Sequence, residues 1–199
     1  NKNFYRNKLK ISDKTTVIQY AGTVNKKTGI SFLKPIFKYF DGNKNILWLF
    51  ACDGPSKKDL VELTKNISNI IFLPLQEKDM MNELLNAADI FIIPQEENTE
   101  DLFFPSKLIS MFASGKPIIS NAKENTDLGN LVNRFGIRVD PYDHNGFINA
   151  INNLKDNYQL RTELGLKGRR FAKKNFSEKI VLNNFNKFLK NCFNKVFSK

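Results

Sequence analysis

The sequence has few of the residues that bind metals. Its 199 residues include two cysteines, Cys52 and Cys192, and one histidine, His144. The two cysteines lie far apart, and neither belongs to a CxxC pair, so a zinc site of the Cys/His type is strongly disfavoured. Two separate thiols instead predict reduced, structural cysteines, as is typical of a cytoplasmic protein. No set of metal ligands is therefore predicted.

The sequence also lacks a long apolar run. No stretch approaches the roughly 20 apolar residues that a membrane-spanning helix needs. Residues Asn1–Arg6 contain neither an initiator Met nor the apolar core of a signal peptide, which suggests a piece of a longer protein. The length of 199 residues and the hydrophobic content of 41% predict a single folded domain over residues 1–199.

The common nucleotide-binding motifs are missing as well. The segment Ala21–Gly29 reads AGTVNKKTG, which contains neither a GxGxxG pattern nor a glycine followed by Lys-Ser or Lys-Thr. Ordinary dinucleotide and P-loop binding are therefore disfavoured. What remains is a loop with glycine at both ends and two lysines, Lys26 and Lys27, in front of a predicted helix. Its backbone N–H groups and the helix dipole can accept an anion, although a solvated turn is an equally good interpretation.

Positive charge is concentrated at the end of the chain. The net charge is +11, and Ile151–Lys199 alone has 12 basic and 3 acidic residues, a balance of +9. A nucleic-acid-binding domain is one interpretation, but the chain has neither an RNP-like aromatic strand nor a recognition-helix pattern. The asymmetry favours a basic surface contact by a helical segment over residues 157–199, and no nucleic-acid partner is expected.

Short β-rich apolar runs alternate with longer amphipathic segments. This pattern predicts an α/β fold with a Rossmann-like, doubly wound parallel sheet of about six strands, followed by C-terminal helices. Ligands of such sheets bind at the carboxyl ends of the strands. The predicted strands are Thr16–Ala21, Asn45–Cys52, Ile70–Leu73, Ile90–Pro94, Pro117–Ser120 and Ile137–Val139. The predicted helices are Ile30–Phe40, Lys57–Asn66, Glu77–Ala87, Pro105–Ala113, Asp127–Phe135 and Gly146–Lys155.

The segment Phe104–Pro117 is the strongest candidate for a functional motif. Pro105 suits the first position of a helix, where its missing N–H is not needed. Ser106 and Lys107 then place a hydroxyl group and a cation at the positive end of that helix. This arrangement can bind a diphosphate, with Lys107 neutralising its charge. A capped helix with a solvated lysine explains the same residues about as well.

The order of the motifs resembles a known enzyme family. Phe104–Pro117 reads FPSKLISMFASGKP, and it follows Ala21-Gly22, Asp53-Gly54-Pro55 and the ADIFIIP of Ala88–Pro94. The set is similar to retaining GT-B glycosyltransferases of family four (glycosyl transferases group 1), in particular members of the polysaccharide and colanic-acid biosynthesis type. The resemblance extends from about Phe4 to Phe188.

The resemblance implies a fold, a partner and an activity. The chain would be the C-terminal, nucleotide-sugar-binding half of a GT-B fold, without the N-terminal acceptor domain. The full-length enzyme would transfer a hexose from a nucleoside diphosphate sugar to a saccharide or lipid-linked acceptor of a surface polysaccharide or capsule. It would act with retention, without a metal or other cofactor, in the cytoplasm or at the inner face of the membrane. The isolated domain would be inactive.

The resemblance also implies roles for individual residues. The residues expected to bind the donor diphosphate are Gly22, Thr23, Lys26, Lys27, Ser106 and Lys107. Those expected at the nucleobase and ribose are Leu73, Pro74, Leu75 and Ser110. Many relatives carry a pair of glutamates in this region. Ser110 replaces one glutamate of the pair, and Leu102 or Phe103 occupies the region of the other glutamate. Thr23 and Thr28 stand where an arginine and a lysine are common, so Lys26 and Lys27 would substitute for them. No catalytic residue is assigned, since His144 is predicted to be a surface residue at a helix entry.

The last predicted helix has an apolar stripe. Phe176, Ile180, Val181, Phe185, Phe188, Leu189, Cys192, Phe193, Val196 and Phe197 recur at helical spacing between lysines. The favoured interpretation is that this stripe docks on its own domain and on the absent partner domain. The alternative is attraction to an anionic membrane surface.

Two other functions are compatible with the same residues. Without the paired glutamates, the chain could be a non-catalytic nucleotide- or sugar-binding module. It could also be half of a sugar-nucleotide epimerase of GT-B architecture, which would need the same cleft between two domains.

Overall fold

The computed structural model describes residues 3–96 and 107–197, with side chains for residues 4–96 and 107–193. Its centre is a six-stranded parallel sheet in the order β3-β2-β1-β4-β5-β6. This confirms the predicted α/β fold with a parallel sheet, and every strand lies within one or two residues of its predicted bounds. The strands are β1 (Thr16–Thr23), β2 (Ile46–Asp53), β3 (Ile70–Leu73), β4 (Ile90–Ile93), β5 (Ile118–Ser120) and β6 (Ile137–Arg138).

The helices follow the predicted alternation, with one addition at the start of the chain. The first helix, α1, was missed because six residues are too few to show a helical period. The helices are α1 (Asn3–Lys8), α2 (Ile30–Tyr39), α3 (Lys57–Leu63), α4 (Lys78–Ala87), α5 (Leu108–Ala113), α6 (Asp127–Phe135), α7 (His144–Asp156), α8 (Tyr158–Phe176) and α9 (Glu178–Phe197). A 3-10 turn at Lys26–Thr28 occupies the loop before α2.

Helices cover both faces of the sheet. Alternate strand residues point to opposite faces, so Ile18 packs with α2, α3 and α7, whereas Val17 packs with α1, α4, α5 and α6. Because both faces are buried, the strands are apolar on consecutive residues, as in Ile90–Ile93. The only tryptophan of the sequence, Trp48, is fully buried on the first of these faces.

The strand order determines where a ligand can bind. The chain runs outward from β1 to β3 and then returns to place β4 on the other side of β1. The connections after β1 and β4 therefore leave the sheet on opposite sides and open a crevice between the carboxyl ends of these two strands. The residues directly after Thr23 and Ile93 border this crevice.

Local sequence signals explain some helix ends and not others. The Thr126 hydroxyl accepts a hydrogen bond from the Gly129 N–H at 3.0 Å and so caps α6. Ser56 directly precedes α3, and serine is a residue type that favours a helix cap, yet its side chain makes no capping hydrogen bond here. Its backbone N–H donates to the Val24 carbonyl, and this bond holds the turn against the β1 loop instead.

The final helix does not pack on the sheet. Every side chain from Glu178 to Phe193 is exposed, including Phe188 at 63% and Phe193 at 68%. The prediction that this helix docks on its own domain is therefore wrong for these residues. Among the described helices, none is both long enough and apolar enough to cross a membrane.

Candidate functional site

The crevice brings together two of the predicted ligand-binding residues, Gly22 and Lys107. Gly22 is the penultimate residue of β1, and Lys107 immediately precedes α5. A Cβ atom built on Gly22 would lie 3.9 Å from Lys107 Nζ. The missing side chain of Gly22 therefore leaves the ammonium group facing bare backbone. A ligand between the two residues would contact both.

Lys107 brings a cation to this edge of the crevice. Its side chain is half-buried and makes no ion pair or hydrogen bond with a described residue. Burial lowers the pKa of its ammonium group, because removing a charge from water disfavours the charged form. An anionic ligand would compensate this cost and restore the ordinary pKa. The position at the start of α5 adds the positive end of a helix dipole.

The loop after β1 is more ordered than its sequence suggested. Asn25 Oδ1 accepts from the Lys27 N–H at 2.9 Å, and the Thr28 hydroxyl accepts from the Asn25 N–H at 3.0 Å. This reciprocal capping box closes the 3-10 turn and buries Thr28. Lys26 and Lys27 are left exposed on the outside of the turn. Thr28, which stands where the resemblance implies a lysine, thus serves the structure of this loop.

Tyr20 stabilises the start of this loop through a hydrogen bond. Its hydroxyl donates to the Thr23 carbonyl at 2.7 Å and would lie 3.6 Å from a Cβ on Gly22. Burial raises the pKa of Tyr20 to about 12, so it remains a donor at neutral pH. The neighbouring Cys52 thiol is raised to a pKa of about 11 by burial and is likewise neutral. The Thr23 side chain itself is exposed at the end of β1.

The chain leaving β4 is clamped from two sides. Asn121 accepts from the Gln95 N–H at 2.7 Å and donates to the Gln95 carbonyl at 2.9 Å. On the other side, the Glu96 N–H donates to the Lys27 carbonyl at 3.0 Å. Gly29 makes this contact possible, since a Cβ there would lie only 2.3 Å from the Gln95 carbonyl oxygen. The loop after β1 and residues 94–96 after β4 thus form one interlocked wall of the crevice.

The predicted nucleobase loop follows β3, two strands from β1. Strands are about 4.8 Å apart, so this loop lies roughly 10 Å from Gly22 across the sheet edge. Leu73 is half-buried, while Pro74 and Leu75 are exposed. The Pro74 carbonyl already accepts from Gln76 Nε2 at 2.7 Å, and Gln76 Oε1 accepts from Tyr5 at 2.5 Å. The apolar side chains, more than this carbonyl, are therefore available to a base.

The remaining predicted residues fall near the start of α5. Ser110 is exposed one turn after Lys107, on the same side of that helix. Ser106 lies outside the described residues, as do Pro105, Leu102, Phe103 and the acidic side chains of residues 97–101. The expected pairing of Ser106 with Lys107 at one diphosphate remains a prediction.

The sequence interpretation assigned no role at the site to three residues that shape it. Tyr20 belongs to an apolar strand and gave no signal of its own. Asn121 is a buried polar residue directly after β5, and Asn25 stands three positions before Thr28. The latter spacing is that of a capping box and could have been recognised. The role of Asn121 could not have been recognised from the sequence, because its partner Gln95 is 26 residues away.

Comparison with known proteins identifies the family of the chain. The sequence profile of the family described as glycosyl transferases group 1 matches residues 1–171. WcaI of Escherichia coli (strain K12), which is named as a colanic acid biosynthesis glycosyl transferase, is 29% identical over 139 residues, or 67% of this chain and 33% of its own. The lipopolysaccharide 1,2-N-acetylglucosaminetransferase of Salmonella typhimurium (strain LT2) is 24% identical over 202 aligned residues, 96% of this chain and 52% of its own.

Solved structures show the same fold. Anabaena HepE, in complex with UDP and glucose, superposes with a TM-score of 0.79 at 14% identity, over 96% of this chain and 52% of its own. The chain thus spans about a third to a half of the length of these relatives.

Proposed function

Because the chain belongs to the glycosyl transferases group 1 family, we propose that it is the donor-binding half of a two-domain glycosyltransferase. The full protein would transfer a sugar from a nucleoside diphosphate sugar to a saccharide or lipid-linked acceptor in surface polysaccharide biosynthesis. Its relatives named for colanic acid and lipopolysaccharide support this class of product.

The observation that carries the proposal is the half-buried ammonium of Lys107 beside Gly22 in the crevice, which has no ionic partner in the part of the chain that the structure describes. The diphosphate of a donor would lie between these residues, where Gly22 allows close approach to the backbone. During transfer the departing diphosphate gains negative charge, and a fixed cation stabilises that charge without reorganisation. Leu73, Pro74 and Leu75 would then contact the base, and Ser110 the ribose.

The other half of the reaction needs a second domain. Aligning an acceptor with the donor and excluding water requires a wall opposite this sheet edge. We place the acceptor in that second domain, which corresponds to the part of the relatives outside the match. This chain would supply only the donor site, so in isolation it would bind a nucleotide without catalysing transfer.

Nucleotide titration tests the donor site. We expect one of UDP, GDP and ADP to stabilise the chain by about 2.7 kcal/mol at a hundredfold excess over its Kd. Lys107→Ala should weaken that nucleotide roughly 10–100-fold, as expected for a lost hydrogen bond to a charged group of about 1.5–3 kcal/mol. Thermal unfolding followed by Trp48 fluorescence measures both effects.

The matched control is Lys123→Ala, which removes an exposed lysine after β5 at the same edge of the sheet. Affinity should be unchanged in that variant. Equal losses of nucleotide affinity in both variants would mean that Lys107 acts only through general charge attraction. No response of the unmodified chain to any of the three nucleotides would contradict a donor site formed by this domain.

The exposed face of α9 supports the two-domain proposal separately. Val181, Phe185, Phe188 and Leu189 recur at helical spacing, and their side chains are 45–63% exposed. Lys179, Lys187 and Lys190 lie on the opposite side of the helix, where they would remain in water. We propose that the second domain covers the apolar face. An anionic membrane surface is the competing partner.

A double serine variant distinguishes the second domain from an anionic membrane as the partner of α9. Phe185→Ser combined with Phe188→Ser should leave the unfolding midpoint of this chain nearly unchanged, because surface substitutions usually alter stability by less than about 0.5 kcal/mol each. The same pair should weaken association with the second domain, measured by co-purification. Phe112→Ser is the buried control and should lower the midpoint. Serine-sensitive binding of the two-domain protein to anionic vesicles would assign this face to the membrane instead.

A further inference from the structure

Two consecutive hydrogen bonds connect α1 to the loop after β3. The Tyr5 hydroxyl donates to Gln76 Oε1 at 2.5 Å, and Gln76 Nε2 donates to the Pro74 carbonyl at 2.7 Å. A carbonyl oxygen can only accept, so the NH₂ group of Gln76 must face Pro74, and Oε1 must face Tyr5. This link of Tyr5, Gln76 and Pro74 therefore has one orientation, and it joins residues 71 positions apart in the sequence.

Tyr5 is buried in the core of the domain. It is only 2% exposed and belongs to the same apolar cluster as Leu84 and Leu85 of α4, against which Leu73 of β3 also packs. A buried hydroxyl needs a hydrogen-bond partner, and Gln76 supplies it. The ring thus holds the hydroxyl at a fixed place beside the end of β3.

The next residue of α1 attaches the helix to the sheet at a different point. Arg6 forms an ion pair with Asp89 and donates to the Ala87 carbonyl at 3.2 Å, at the entrance of β4. The helix is therefore held independently of the loop after β3. Through Tyr5, its fixed position is passed on to that loop.

The loop after β3 (residues 74–77) depends on this link for its position. Within the described residues, no other side chain from outside the loop hydrogen-bonds to it. Pro74 and Leu75 are exposed, Leu75 at 45%, so packing alone does not hold them. A loop that must become ordered on binding costs affinity, whereas a loop that is held in advance does not.

We propose that Tyr5 and Gln76 are positioning residues for the base of the nucleotide, because they hold Pro74 and Leu75 in place without touching the ligand. The inference rests on the proposed donor site, in which Pro74 and Leu75 contact the base. It divides the affinity between the two ends of that site. Lys107 acts on the diphosphate, and Tyr5 acts on the base alone.

Inorganic pyrophosphate, which has no base, tests this division. Its Kd and that of whichever nucleotide binds the unmodified chain (UDP, GDP or ADP) would be measured by titration of the ¹⁵N-labelled chain. Tyr5→Phe keeps the ring and removes only the hydroxyl. It should weaken the nucleotide roughly 3–10-fold, the equivalent of one neutral hydrogen bond, and leave pyrophosphate unchanged. Lys107→Ala should weaken both ligands.

The matched control is Tyr39→Phe. Tyr39 is 61% exposed on α2, and its hydroxyl makes no hydrogen bond with a described residue. Its removal should change neither affinity.

A second variant tests whether the two residues act together. Gln76→Met removes both hydrogen bonds at a half-exposed position and should weaken the nucleotide at least as much as Tyr5→Phe. Combining the two changes should weaken it no further, because residues of one hydrogen-bond network are not additive. In the absence of ligand, the NMR order parameter of the Leu75 N–H should fall in each variant, whereas that of Thr28 in the other loop should not.

Three results would contradict the proposal, and they differ in what they leave standing. Equal weakening of nucleotide and pyrophosphate by Tyr5→Phe would mean that the effect reaches the whole crevice. Unchanged nucleotide affinity in both Tyr5→Phe and Gln76→Met would remove the positioning role and leave the donor site at Lys107 intact. If the unmodified chain bound pyrophosphate but no nucleotide, the proposed base contacts would fail, and the positioning role would fail with them.

Discussion

Asp89→Ala should lower the free energy of unfolding by about 3–5 kcal/mol, the usual cost of removing one partner of a buried ion pair. Asp89 precedes β4, and its carboxylate forms an ion pair with Arg6 of α1. The side chains are only 8% and 3% exposed, respectively. Urea unfolding monitored by the fluorescence of the buried Trp48 measures the loss.

The size of this effect follows from what the pair holds together. The Asp89 carboxylate also accepts from the Val17 N–H at 3.0 Å, at the start of β1. The Arg6 guanidinium donates to the carbonyls of Ala87 and Thr15, each at 3.2 Å. One network therefore joins α1 to the entrances of the two central strands. Without Asp89, the guanidinium would be left buried with carbonyl partners alone.

Two comparisons test this explanation. Removing both charges, in Arg6→Met with Asp89→Leu, should cost less than Asp89→Ala, because no uncompensated charge remains. Glu62→Ala breaks the exposed pair with Lys65 and should have little effect, since solvent screens such pairs. A double variant as unstable as Asp89→Ala would mean that shape, and not charge, explains the loss.

The alternating pattern of this sequence was sufficient to predict the fold. The bounds of β3 and α6 were correct to the residue, since β3 is a compact apolar run and α6 has a capping threonine before it and a glycine after it. The short α1 could not be found from periodicity. Its place is determined by tertiary contacts of Arg6 and Tyr5 with residues more than 70 positions away.

The candidate site was only partly accessible to the same reasoning. Gly22 and Lys107 could be proposed individually, but their proximity depends on β4 lying beside β1. The stacking of His144 on Phe32 likewise has no sequence signal, because the two residues are far apart in the chain. For α9, the amphipathic pattern predicted a helix correctly. It could not identify the surface that covers the helix, because an apolar face is equally consistent with any apolar partner.

Gly29→Ala should destabilise the chain by about 2–5 kcal/mol and remove nucleotide binding. Gly29 has φ = 58°, a left-handed conformation that costs other residues roughly 1–2 kcal/mol. The new Cβ would also lie 2.3 Å from the Gln95 carbonyl oxygen and 2.8 Å from the Glu96 nitrogen. Both atoms are backbone, so the loops after β1 and β4 would have to separate, as in other overpacked sites that lose about 1–3 kcal/mol.

Gly42 provides the matched control for the backbone conformation. It has φ = 72°, and a Cβ there would meet nothing within 4 Å. Gly42→Ala should therefore show the conformational cost alone, about 1–2 kcal/mol, with nucleotide affinity unchanged. The difference between the two alanine variants measures the interlocking of the loops. If Gly29→Ala were no more harmful than Gly42→Ala and still bound nucleotide, the contact between these loops would contribute nothing to the crevice. Donor binding would then depend on Lys107 and the start of α5 alone.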